Sequence, residues 1–262
     1  MISLFGLAIG PIIATQLLGI TTWRNVFMIV GIPGLLIAAA MFFIVREPLA
    51  QMAGRSGQRA PRPSFVQLFQ HRNVALAMLT LMCAMGGIFV LAAMMPDYLL
   101  GFLQLSTTDM GFVFSAIGFG GCLGQFALPA ISDIVGRKMA TLASYILAAV
   151  FLYLFTLQGA ESLVILFVLL FFASMFNFAA LAILAGPVAA EAAPLGMVAS
   201  VAGLVIGAGE VFGGGVAPVI AGRIAGASGI QNVFTFAIAS LVVGFVIALF
   251  LKETAPRKTG GL

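Results

Sequence analysis

Eight long apolar runs, near residues 2–20, 25–45, 73–100, 108–131, 138–157, 162–188, 199–222 and 231–251, limit what this chain can become. The hydrocarbon core of a bilayer is about 30 Å thick, which a helix crosses with about 20 residues at 1.5 Å each. Strands of a membrane barrel are about 10 residues long and alternate in polarity. These runs are twice that length and apolar on all faces, so they predict helices. Of the 262 residues, 62% are hydrophobic and 8% charged. A soluble domain carries about 25% charge. So few charges cannot cover a water-facing surface, and the main solvent must be lipid. The expected fold is an all-α integral membrane protein of about eight transmembrane helices, with the bilayer as its first partner.

Several function classes drop out. The net charge is +4, and no basic stripe remains once the loops are assigned, which argues against nucleic acid. Cys83 and Cys122 fall inside apolar runs without metal-ligand spacing, so no metal is expected. His71, the single histidine, sits beside Arg72 in a polar loop. An intramembrane enzyme would need clustered catalytic groups at depth, and none occurs. No phosphate-binding G-x-x-x-x-G-K-[ST] is present, so ATP is not the expected driver. The N-terminus has no basic n-region and no small-residue cleavage site, and no signal peptide is read there.

One short stretch orients the rest. Ser132-Asp133-Ile134-Val135-Gly136-Arg137-Lys138 packs three charges and a glycine between two membrane-length runs. It predicts a tight turn at a water–lipid boundary, with Gly136 allowing the bend. Taking Arg137 and Lys138 as cytoplasmic, eight alternating spans place Arg46, Arg55, Arg59, Arg62, Arg72, Lys252, Arg257 and Lys258 on the same side. Arg24 and Arg223 alone fall outside. Both termini are then cytoplasmic. Residues 46–71 form the one long polar stretch, rich in Gly, Pro, Ser and Arg, and predict a linker. Near its end Phe65, Leu68 and Phe69 suit a short amphipathic turn on the membrane surface.

Asp133-Ile134-Val135-Gly136-Arg137-Lys138 resembles the D-x-x-G-R-[KR] core that major facilitator superfamily transporters carry between helices 2 and 3, with a weaker copy between helices 8 and 9. The motif's opening glycine would fall on Pro129, a departure that fits the second copy. Gly6-x-x-x-Gly10-Pro11 resembles the glycine–proline motif of helix 5. Trp23-Arg24 with Phe27, then Glu47-Pro48, is similar to the passage through helix 6. The resemblance implies helices 5 to 12 of a twelve-helix transporter, an incomplete fold with one full six-helix bundle. Residues 1–45 would be the last two helices of the N-terminal bundle, 46–71 the cytoplasmic loop between halves, 72–251 the C-terminal bundle and 252–262 a cytoplasmic tail. Helices 1 to 4 would then be missing partners, and the chain alone is expected not to transport. Glu253-Thr254-Ala255-Pro256-Arg257 is similar to the tails of proton-coupled organic-acid and metabolite carriers. The implied function is secondary active transport of a small organic solute, an organic anion among the options, by alternating access in the plasma (inner) membrane. The proton is the expected coupling ion and no other cofactor is expected. A drug or metabolite efflux antiporter and a non-transporting scaffold are the alternatives.

Site candidates follow. Glu210 lies near the middle of an apolar run, where inserting a carboxylate costs at least about 2.5 kcal/mol. It is expected to be buried against a cavity, with its pKa raised, as a proton-coupling or substrate residue. Asn177, among the phenylalanines of 171–178, can contact a ligand or bond a neighbouring helix. Gln125 is a weaker cavity candidate, with Ser115 and Tyr145. Asp133 is expected to cap a helix N-terminus while Arg137 pairs across the face. Gly136 and Lys138 complete this conformational latch. Gly6, Gly10 and Pro11, and Gly203 and Gly207, are the expected helix-packing residues.

Overall fold

The structure is a computed structural model describing residues 2–44, 71–194 and 196–259. Arg46, Arg55, Arg59, Arg62 and the proposed amphipathic turn at 65–69 lie outside the described residues. The helices are α1 (Ile2–Leu18), α2 (Trp23–Ile44), α3 (Arg72–Phe102), α4 (Thr107–Val135), α5 (Arg137–Thr156), α6 (Leu163–Ala192), α7 (Val198–Ser228), α8 (Ile230–Ala248) and a last turn, α9 (Pro256–Thr259). Among the described residues there is no strand. Seven helices, α2 to α8, are long and apolar enough to cross a membrane, while α1 has 17 residues and falls just short of that length.

Local chemistry sets several ends. Ser106 and Asp109 form a reciprocal cap at α4: Ser106 Oγ accepts from the Asp109 amide at 3.1 Å and donates to its carboxylate at 2.7 Å. Ser162 Oγ accepts from the Ile165 amide at the start of α6. Three helices wind wide in π-helical turns, at Tyr98–Phe102, Leu184–Val188 and Val211–Val216. Pro96 precedes the first, Pro187 sits in the second and three glycines fill the third. Such turns let a helix run on past residues that would otherwise stop it. For this reason α6 and α7 extend beyond the ends expected at 188 and 222.

Lipid tails are as apolar as leucine, so close backbone approach rather than hydrophobic burial must hold the helices together. Glycine supplies that approach along α4. A Cβ at Gly120 would lie 2.2 Å from the Phe171 carbonyl oxygen, and one at Gly124 would lie 2.0 Å from that of Met175, so α4 and α6 run parallel with backbones touching. On its other side α4 takes α1 antiparallel: Gly111 faces Thr15 and Gly118 faces Ala8. Helix α3 is flanked by α7 and α8, with Gly209 and Gly213 of α7 seated on Leu81, Met85 and Phe89. The core between them holds Leu81, Leu91, Tyr98, Tyr145, Phe155 and Phe234, all below 3% exposed. Among the described residues helix α2 packs mainly on α1, burying Val26, and turns most of its apolar side chains outward, Phe42 at 82% exposed.

Of the expected packing residues Pro11 lies at a helix contact, its carbonyl oxygen 3.0 Å from a Cβ placed at Gly111, and the four glycines do not. Among the described residues, no atom outside the local helix backbone lies within 4 Å of a Cβ placed at Gly6, Gly10, Gly203 or Gly207. Helix α1 turns Ala8, the Pro11 carbonyl and Thr15 to α4, and Gly6 and Gly10 point elsewhere. Helix α7 turns Val201, Val205 and Gly209 to α3, leaving Gly203 and Gly207 on its open face.

Candidate functional site

One end of the bundle gathers the charges. Helix α4 stops at Gly136, whose φ of +108° favours glycine, and α5 starts at the next residue. The reversal presents Arg137 between α4 and α6, 7% exposed. Its guanidinium donates to both carboxylate oxygens of Glu191 on α6, from Nη2 at 3.0 Å and from Nε at 3.2 and 3.4 Å. Nη1 donates to Ser132 Oγ at 2.6 Å and to the Pro129 carbonyl at 3.2 Å. Nη2 also pairs with Asp133, one turn back on α4. Arginine's rigid fork can hold this many acceptors in one plane, which a lysine cannot.

The tail closes the same end. Glu253 accepts from the amides of Arg137 at 2.8 Å and Lys138 at 3.2 Å, so its carboxylate caps the N-terminus of α5. It also accepts from the amides of Thr254 and Ala255 at 3.0 and 2.9 Å. Burial pushes the Glu253 carboxyl up, but these four backbone donors outweigh it and hold the group below the usual carboxylate range. Lys138 Nζ donates to the Leu249 carbonyl at 2.6 Å. Arg72 Nη2 donates to the Phe250 carbonyl at 2.9 Å, and Asn73 and Lys252 exchange hydrogen bonds at 3.1 and 3.2 Å. The expected helix cap is therefore supplied by Glu253 rather than Asp133. Asp133 lies in the last turn of α4, where the dipole disfavours an anion, and it turns back to Arg137 instead.

The mid-membrane candidates are scattered. Glu210 is exposed on the face of α7 turned away from α3, with Ile206 and Gly207, and among the described residues it makes no ion pair. This corrects the expectation of burial: among the described residues α7 has no neighbour on that side. Asn177 is 1% exposed on α6, and among the described residues its carboxamide has no hydrogen-bond partner and makes no interhelical bond. Gln125 is half-buried on α4. Ser115 and Tyr145 donate to carbonyls, of Phe112 at 2.6 Å and Thr80 at 2.6 Å. Among the described residues no cluster of His, Cys, Asp or Glu could hold a metal ion.

A family model described as Major Facilitator Superfamily matches residues 1–206 and, overlapping, 77–261. The chain belongs to the Major Facilitator Superfamily. It is a membrane transporter for a small solute, embedded in a lipid bilayer, and its family is one of transporters rather than enzymes. No curated protein matches the chain. In this transporter Pro129, which departs from the motif glycine, contributes a carbonyl to Arg137. The sequence reading missed Ser132, Glu191 and Glu253 as partners of the motif. Glu253 was visible only as part of a carrier-like tail, and nothing near Glu191 distinguishes it from an ordinary loop carboxylate.

Proposed function

We propose that the chain serves secondary active transport of a small organic solute by alternating access, with the proton as coupling ion. The charged end would face the cytoplasm of a plasma (inner) membrane, and Arg137 would latch one of the two access states. The observation that carries this reading is the Arg137 network, in which one buried guanidinium ties α4 to α6 while Glu253 ties the tail to α5. A bond set spanning separate helices breaks when those helices move apart, which is what a conformational latch requires. For proton coupling the support is Glu210, a carboxylate in the middle stretch of a membrane-spanning helix and on its open face. Intramembrane carboxylates are costly and mark ion or proton paths. The test is transport by the chain together with the helices 1 to 4 that this reading requires, in proteoliposomes under an imposed pH gradient. Glu210→Gln is expected to abolish proton-driven accumulation while solute exchange continues. Normal accumulation by that variant removes Glu210 from the mechanism.

A further inference from the structure

At the middle of α6, neither nitrogen nor oxygen of the Asn177 carboxamide finds a partner among the described residues. Ser174, one turn earlier and 1% exposed, has an unpartnered hydroxyl as well. Asn177 faces the middle of α3. A Cβ placed at Gly87 would meet Asn177 Nδ2 at 3.2 Å, and the Ala237 carbonyl oxygen and Leu241 Cδ2 of α8 at 3.9 Å. The two atoms that share the Gly87 position with Nδ2 are backbone and hydrocarbon. The hydroxyl of Ser240, near Gly86, is committed to the Cys83 carbonyl at 2.9 Å. A polar group left unpaired at membrane depth raises the free energy of the conformation that strands it.

The same helix carries Glu191. Between Asn177 and Glu191 lies the π-helical turn Leu184–Val188 with Pro187. One end of α6 is thus drawn in by Arg137, while its middle holds an amide with nothing to bond. We infer that Asn177 opposes the Arg137–Glu191 clamp: the clamped conformation strands its carboxamide, and the amide drives the equilibrium back toward the open state. This rests on reading the charged end as a latch. An alternating carrier needs both conformations populated, and a stabilised clamp without a counterweight would leave one state nearly empty.

The consequence is counter-intuitive, because replacing a buried polar residue in the middle of α6 should strengthen the latch. The test is hydrogen–deuterium exchange of amides 132–141 in the protein reconstituted in nanodiscs. Asn177→Leu is expected to slow their exchange by roughly tenfold, the factor that one unsatisfied buried polar group is worth. Glu191→Gln is expected to speed it, and the double variant to fall between the two singles. If Glu191→Gln leaves exchange unchanged, the latch itself fails. If Glu191→Gln speeds exchange but Asn177→Leu leaves it unchanged or speeds it, the inference about Asn177 is overturned. Asn177→Val guards against overpacking by leucine. Loss of folding in both apolar variants would mean that the carboxamide is bonded in the native protein, and would also overturn the inference.

Discussion

Arg137 divides its donors between a nearly buried carboxylate and an exposed one, and the two should not matter equally. The side chain of Glu191 is 20% exposed and that of Asp133 is 53% exposed. Solvent screens the second pair, which leaves it about 0–1 kcal/mol. Asp133→Asn should therefore shift the latch equilibrium less than fivefold, whereas Glu191→Gln, which strands part of a buried guanidinium, should shift it tenfold or more. Distances between spin labels on α4 and α6 would rank the two; a larger effect from Asp133→Asn would reverse this assignment. Gly136 has both a positive φ and Glu253 Oε2 2.5 Å from where a Cβ would go. Gly136→Ala should cost about 1–3 kcal/mol, seen as a lower melting temperature in detergent. The sequence located Asp133, Gly136, Arg137 and Lys138 because a turn is local and its spacing is visible. Glu191 and Glu253 stand 54 and 116 residues from Arg137, and a single sequence carries no trace of that pairing.

At the scale of helices, existence was readable and packing was not. Length and hydropathy alone place α2 to α8, because lipid tolerates only satisfied backbones. Which face meets which neighbour needs a polar side to contrast with an apolar one, and helices such as α8 are apolar all round. Glycine spacing then misleads: Gly6 and Gly10 look like a close-packing pair, yet the contact with α1 is made by Gly111 and Gly118 of α4. The two sets can be separated by substitution. Gly124→Leu would drive a side chain into the Met175 carbonyl and should destabilise the protein by at least about 1–3 kcal/mol. Gly203→Ala and Gly207→Ala should not destabilise and should gain up to about 1 kcal/mol, because among the described residues the space beside both is open and alanine is the better helix former. Thermal unfolding in detergent compares all three, and an equal loss from the α7 variants would mean that their open face is covered.

For the molecule as a whole, charge asymmetry was the most legible property. Arg72, Arg137, Lys138 and Lys252, distant in sequence, meet at one end of the bundle, as the segregation of basic residues anticipated. The mid-membrane chemistry was less legible, since depth can be counted along a helix but orientation cannot. Tail docking should respond to acid in a defined direction. The Glu253 carboxyl is held below its usual range, so its contribution is complete above the unfolded value and disappears as pH falls through the depressed one. Mobility of a spin label at Arg257 should stay constant from pH 8 down to about 5 and rise only below about 4. A rise near neutrality would show that another group controls docking. The tail contact also sets an order for biosynthesis. The first turn of α5 cannot receive its carboxylate until residue 253, 116 residues after Arg137, has left the ribosome. The earlier helices must enter the bilayer with that end still open, and its closure follows the insertion of α8.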